Sequence, residues 1–451
     1  MLPELIIHEI FPYADIDDKR NMRLLNRYFY EILTPKFTLT QGKDELHCEI
    51  SIDFLPASYH LFTKLNIIKL YDSRIMDFKK FTNITSLKLK RFEGLLDGSF
   101  LSKCKEIHLV CCHEIDNNLF NGISENIEVF EYSIDNLATP HITDVSKLVN
   151  CKVLILDNSN VESIEKLSSL EKLTLFDWVN FDKLTTHENF HYEKIRHLEC
   201  SGRNVKNLNM FTFKSSTIDC SYCKQLTNDS ILSIKPQSFI CCECKFTNLN
   251  HLEENLTVLD CCGCLSLTDE SIRVLKPRLK KLDCSNCDIT DLNDLVVCEY
   301  LACNCCNKLT DKSIAKLGKC LKKLYCEGCN FTDFNHLDNC IEIDCYECEF
   351  INDNSIIKIG KNIKSFACSR TQLTDLNCLV NCEELFCDDC LKLTDSSIKN
   401  ITKLKYLSCY GCKITDFNHL TKLEELRWVL PDSMNVPDFN NVVKYMKKQI
   451  K

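Results

Sequence analysis

Glycine and proline are scarce in this chain, ten and nine residues out of 451. So little of either excludes long flexible linkers and low-complexity tails. Basic charge is also short: 55 Lys and Arg stand against 64 Asp and Glu, a formal charge of −9. That balance excludes a broad nucleic-acid-binding face, because neutralising phosphates needs concentrated basic surface. No apolar run approaches the roughly 18 residues of a membrane span. The opening residues, MLPELIIHEIFPYADIDD, are acidic where a secretory leader needs a positive start and an apolar core. Catalytic signatures are missing too: there is no Gly-rich phosphate loop, no HExxH and no GxSxG. The histidines are scattered, and His251, His336 and His419 recur only as NHL, a repetition that suits a structural turn better than a base. The expectation is a globular, non-catalytic protein of the cytoplasm or nucleus, with no cofactor, no metal, no nucleic acid and no membrane partner.

Cysteine is abundant instead, 33 residues. In a small secreted chain this density means a disulfide scaffold. Here the chain is long, the count is odd and no leader is visible, so free thiols are expected. Their positions give the reason. A nine-residue block recurs with apolar residues at positions one, four and six and Cys, Asn or Ser frequent at nine. Copies are LKKLDCSNC (279–287), CEYLACNCC (298–306), LKKLYCEGC (321–329), CIEIDCYEC (340–348), CEELFCDDC (382–390) and LKYLSCYGC (404–412). The sixth position falls at Cys220, Cys241, Cys261, Cys284, Cys303, Cys326, Cys345, Cys368, Cys387 and Cys409. From Cys241 on, units of 19 or 20 and 22 or 23 residues alternate. Upstream the frame persists with Leu at position six, at Leu70, Leu89, Leu109, Leu156 and Leu175.

In a strand, alternate residues face one side, so positions four and six point into the stack. The ninth also turns inward, where a small polar group bonds backbone left open by the turn. Thr-Asp next offers an N-cap for a convex helical turn. Long units have room for about two helical turns, as in DESIRVLKP. Each unit buries its apolar face only against its neighbours, so the array needs caps.

This pattern resembles the cysteine-containing subclass of the leucine-rich repeat. The strand LxxLxLxxC is followed by LTDESI (267–272), LTDKSI (309–314), LTDSSI (393–398), ITDL (289–292), FTDF (331–334) and ITDF (414–417). The resemblance covers about eighteen units over residues 65–430, with 41–64 as a connecting segment and 431–451 as a C-terminal cap. It implies an α/β solenoid, a horseshoe with a parallel sheet on its concave side.

A zinc reading competes for the thiols. Cys284, Cys287, Cys303 and Cys306 reproduce the C-x2-C-x15-C-x2-C spacing of structural zinc modules. The spacing follows from repeat length, however, and Arg203 and Thr371 take the second position in two units. A four-thiolate site does not tolerate such losses, whereas a buried ladder of small hydrophobic thiols does.

Residues 1–40 do not fit the repeat. Leu2, Leu5, Ile6 and Ile10 share a helical face, and Leu24, Tyr28 and Ile32 recur at four-residue steps until Thr34-Pro35 stops the run. So much apolar surface in so short a segment must pack on something else. A helical cap for the first repeat is one reading. The other is a resemblance: LPxE at Leu2, Pro3 and Glu4, then Ile6, Ile10-Phe11, Leu24-Leu25 and Arg27-Tyr28-Phe29 are similar to an F-box, although Asn26 departs from it. That resemblance implies docking on a Skp-family adaptor within a cullin ubiquitin ligase. Its buried anchors would be Leu2, Pro3, Ile6, Ile10, Phe11, Leu24, Leu25 and Phe29. The Asn, Lys and Ile richness adds a likeness to F-box repeat proteins of amoebae, or of giant viruses that infect them and would use the host ligase from the host cytoplasm.

Strand positions three, five and seven face outward, on the concave side. Position five carries Glu199, Asp219, Ile240, Asp260, Asp283, Ala302, Tyr325, Asp344, Ala367, Phe386 and Ser408; position seven adds Glu327, Tyr346, Asp388 and Tyr410. Polar residues alone would read as a solvated face, but exposed aromatics fit a binding surface better. Asp260, Asp283, Tyr325, Asp344, Tyr346, Phe386, Asp388 and Tyr410 are therefore the candidate substrate-binding residues, for a protein partner with a basic segment.

Overall fold

The structure, a computed structural model, describes residues 39–40, 43–48, 64–68, 78–134, 141–176, 194–202, 205–211 and 216–428. The proposed adaptor anchors Leu2, Pro3, Ile6, Ile10, Phe11, Leu24, Leu25 and Phe29, and the cap at 431–451, lie outside the described residues. The chain divides into two units, Met1–His197 and Leu198–Lys451.

In the first unit, β1 (Leu39–Thr40) pairs antiparallel with β2 (Lys43–Cys48). From β2 onward every pairing is parallel: β3 (Lys64–Ile68), β4 (Ser86–Lys90), β5 (Glu106–Val110), β6 (Val129–Ser133), β7 (Val153–Asp157) and β8 (Lys172–Leu175) follow in chain order. The ladder thus begins within residues 41–64, a segment the repeat frame assigns to a connection. Inward positions hold Leu87 and Leu89, Ile107 and Leu109, Phe130 and Tyr132, then Leu154 and Leu156, all at or near zero exposure. The fourth and sixth positions of the block are therefore the core.

The second unit repeats this plan with three-residue strands, β9 (His197–Glu199), β10 (Thr217–Asp219), β11 (Ser238–Ile240), β12 (Val258–Asp260), β13 (Lys281–Asp283), β14 (Tyr300–Ala302), β15 (Lys323–Tyr325), β16 (Glu342–Asp344), β17 (Ser365–Ala367), β18 (Glu384–Phe386), β19 (Tyr406–Ser408) and β20 (Glu425–Arg427). From β10 to β20 each strand pairs in parallel with the next, position for position. The strands are shorter than in the first unit, because the chain enters its turn straight after the sixth position. Residue eight of the block then takes a left-handed conformation even without glycine, as at Glu347 (φ 56°), Arg370 (φ 57°) and Asp389 (φ 56°). Its N–H reaches the next unit's position-seven carbonyl, so lateral pairing outlasts the strand.

The cysteines from Cys104 to Cys412 are free thiols. Those at position nine form a ladder, interrupted where Thr371 takes the position. Cys223 Sγ donates to the Cys200 carbonyl (2.8 Å), Cys264 to Cys241 (2.9 Å), Cys306 to Cys284 (3.1 Å) and Cys348 to Cys326 (3.1 Å); each acceptor is the sixth residue of the preceding unit. Burial, and then the neighbouring thiol's hydrogen bond, holds the Cys220, Cys241 and Cys326 thiols well above their ordinary range. The protonated thiol is the form that packs in an apolar core. No group of three or more His, Cys, Asp or Glu among the described residues is placed to hold a metal ion.

The convex side carries less helix than the unit length allows. Only one α-helix occurs among the described residues, α1 (Asp269–Arg273), and the other long units use 3₁₀ turns. Bonds such as Leu275 N to Ile272 O and Leu317 N to Ile314 O bring an apolar side chain inward every third residue, which a tighter helix does and a two-turn α-helix does not. Thr268 starts a capping box with Ser271, as its sequence implies. The adjoining Asp269 does something else: it accepts the N–H and the hydroxyl of Thr290 in the following short unit. No helix among the described residues is long and apolar enough to cross a membrane.

Candidate functional site

The outward face of the second unit opens into a concavity of about 820 Å³ centred on β16, β17 and β18. Strand pairing explains its shape. Positions three, five and seven of β17 carry Ser365, Ala367 and Ser369, which are too small to fill the space above them. Larger residues flank this floor. In register with it stand Glu342, Asp344 and Tyr346 on one side and Glu384, Phe386 and Asp388 on the other. Tyr325, Glu327, Arg370, Asp389 and Tyr410 complete the rim.

Of the eight residues expected to bind substrate, Tyr325, Asp344, Tyr346, Phe386, Asp388 and Tyr410 line this one concavity. Asp260 and Asp283 do not. They stand side by side on β12 and β13, at the fifth position of strands remote from β17. The Cys242 thiol donates to Asp260 Oδ1 (3.1 Å), and burial pushes the Asp260 carboxyl up. Sequence reasoning missed the floor residues and the two glutamates of position three, Glu342 and Glu384. The signal for them was present: position three faces outward by the same alternation as position five.

The carboxylates of the site differ in how they are engaged. Glu342 pairs with Lys323 and accepts the Tyr325 hydroxyl; burial opposes its charge, but these two partners hold it below the usual range. Asp388 accepts Ser408 Oγ (2.8 Å) and the Tyr410 N–H (2.7 Å). Asp344 takes only the Tyr346 N–H (3.1 Å), and burial followed by repulsion from Glu342 raises its carboxyl. The Glu384 carboxylate makes no hydrogen bond or ion pair among the described residues, although its charge is felt by Lys323 and Lys405. The rings are held in place: Phe386 stacks on Tyr406 with centroids 4.8 Å apart, Tyr325 on Tyr300 at 5.2 Å. Arg370 lies 5.5 Å over the Tyr346 ring and bridges Glu347 (2.7 Å) and Asp389 (3.3 Å), so the cation within the rim is already neutralised. What remains is an acidic, aromatic hollow with a bare floor. It can bind a cation.

No family model and no curated protein matches the chain. Solved structures do. The functional domain of InlJ from Listeria monocytogenes, described as including a cysteine ladder, is 19% identical over 88% of this chain and 71% of its own, with a TM-score of 0.35. A leucine-rich-repeat protein of Leptospira interrogans is 16% identical over 86% and 94%, with a TM-score of 0.48. TLR13, solved as a TLR13–ssRNA13 complex, is 16% identical over 83% of this chain and 68% of that one, with a TM-score of 0.51. With the parallel register and the thiol rungs already described, the last of these identifies the architecture: the chain has the leucine-rich-repeat fold, in a form with cysteine at its inward ladder positions.

Proposed function

We propose that the protein is a substrate-recognition subunit of a ubiquitin ligase of the Skp–cullin–F-box type. The observation that carries the recognition half is the acidic, aromatic hollow over β17, a surface fitted to a basic segment of a protein partner. The ligase half is supported by the F-box-like residues between Leu2 and Phe29, whose apolar face needs a partner to bury it. On this reading the chain does no chemistry of its own. It holds substrate lysines near a conjugating enzyme bound elsewhere, so its contribution to rate is positioning. Its place of work is the cytoplasm or nucleus, or the host cytoplasm if the chain is viral.

The test is co-purification of the full chain with a Skp-family adaptor. Ile10→Asp and Phe29→Asp should each abolish adaptor capture, since a charge at a buried anchor forfeits most of its binding energy. Both variants should still bind a basic partner. Capture that persists in both variants, or is absent in the parent protein, removes the ligase role and leaves an interaction scaffold.

A further inference from the structure

Among the described strands of the second unit, β17 alone has small residues at all three outward positions. Its neighbours place Glu342 opposite Glu384 across Ser365, and Asp344 opposite Phe386 across Ala367. Two strand spacings separate these walls, so their Cα atoms stand about 9.6 Å apart. The gap between the walls is about one side chain wide. The two walls are different in chemistry. Phe386 offers a ring fixed by stacking on Tyr406, while Asp344 has one carboxylate oxygen free of hydrogen bonds, and the Glu384 carboxylate, though Lys323 and Lys405 feel its charge, makes no hydrogen bond or ion pair among the described residues.

We propose that this slot receives a single arginine side chain of the basic partner, its guanidinium lying against the Phe386 ring and forked towards Asp344 and Glu384. The inference rests on the sheet face being a protein-binding surface, and it narrows that reading from net charge to one residue type. A guanidinium is flat, weakly hydrated and carries donors along its edge, so it can stack and pair at once. An ammonium is compact and strongly hydrated and gains little from the ring. The same carboxylates repel an acidic segment.

Fluorescein-labelled hexa-arginine and hexalysine, equal in charge, separate this slot from a diffuse acidic field when titrated against the full-length protein at one ionic strength. Hexa-arginine should bind roughly fivefold tighter, about the free energy of one cation–π contact. Ala367→Leu fills the floor without changing charge and should erase the preference; Phe386→Leu should do the same by removing the ring, should the first variant fold poorly. The Asp260→Asn, Asp283→Asn double variant lies off the slot and should weaken both peptides alike, leaving their ratio intact. Equal affinities for the two peptides, or a ratio that survives both Ala367→Leu and Phe386→Leu, overturn the slot alone. If neither peptide binds, the basic-partner reading of the face falls with it, whatever the adaptor experiment shows.

Discussion

A thiol is a poor hydrogen-bond donor, and the position it occupies in this fold explains why a poor donor is enough. The Cys326 carbonyl already accepts the Cys329 N–H of its own turn (3.1 Å); the Cys348 thiol is its second partner (3.1 Å). A strong donor is not required there, whereas a small side chain compatible with an apolar interior is. Thr371 shows what a hydroxyl does in the same place. It turns back on its own unit, bonding the Cys368 carbonyl (2.7 Å), and the rung to the preceding unit is lost. Removing a thiol should therefore cost packing as well as one weak bond. Cys348→Ala should lower the stability of the second unit by roughly 1–2 kcal/mol, and Cys348→Ser by less. Urea unfolding measures both; a midpoint unchanged by the alanine would show that the rung contributes nothing. In sequence, repeat length argues for rung thiols over zinc ligands. The structure adds the carbonyl that each position-nine Sγ meets.

The repeating element is a pair of unlike units, and side chains on the convex side lock the pair together. Long-unit Asp311 and Asp353 accept the N–H groups of Thr332 and Thr374 in the following short units, as Asp269 does for Thr290. Short-unit Asn293 then donates to the Lys312 carbonyl (2.6 Å) and accepts the Lys316 N–H (2.8 Å) of the next long unit, an exchange that Asn335 repeats. The alternating period was legible in the spacing of cysteines, but its cause was not, because a Thr-Asp dipeptide reads as a cap for its own helix. Backbones also come close here. A Cβ added at Gly318 would sit 1.8 Å from the His336 carbonyl oxygen, a distance no side chain can relieve. Gly318→Ala should therefore force the two units apart and destabilise by roughly 1–3 kcal/mol or more. Thermal unfolding of the variant tests this, and a melting temperature equal to the parent's would mean the units are not held at that spacing in solution.

For the molecule as a whole, stability in a repeat array is the sum of contacts between nearest neighbours, so a local charge in the stack is felt along it. His251 and His336 are such points. Burial pushes both imidazoles below their ordinary range, and their Nε2 atoms are buried without a hydrogen-bond partner. A histidine that is harder to protonate when folded than when unfolded stabilises the fold at pH values above about 6.5, and that stability is lost as the pH falls through this value towards the depressed folded one. The parent protein should therefore lose stability on acidification across that window. The His251→Gln, His336→Gln double variant should lose less, as measured by denaturant midpoints at a series of pH values. Parallel curves for the two proteins would assign the acid sensitivity to other groups.

Which residues face inward and which face outward was determined by the sequence itself. Period-two alternation within a block, and the repetition of the block in register, are local properties that no tertiary arrangement can reverse without burying charge. That is why the sequence assigns Leu324 and Cys326 to the core and Tyr325 to the surface, and why six of the eight expected binding residues meet in one hollow. Which outward residues act together was decided only by the folded chain. Ser365, Ala367 and Ser369 look unremarkable in sequence; they become a floor because strands some twenty residues away in each direction raise walls beside them. Asp260 and Asp344 occupy the same block position, yet one is tied to a thiol beside another aspartate and the other opens on a slot. Lateral pairing brings together residues distant in the chain, and the partners each carboxylate acquires there decide whether its charge remains available.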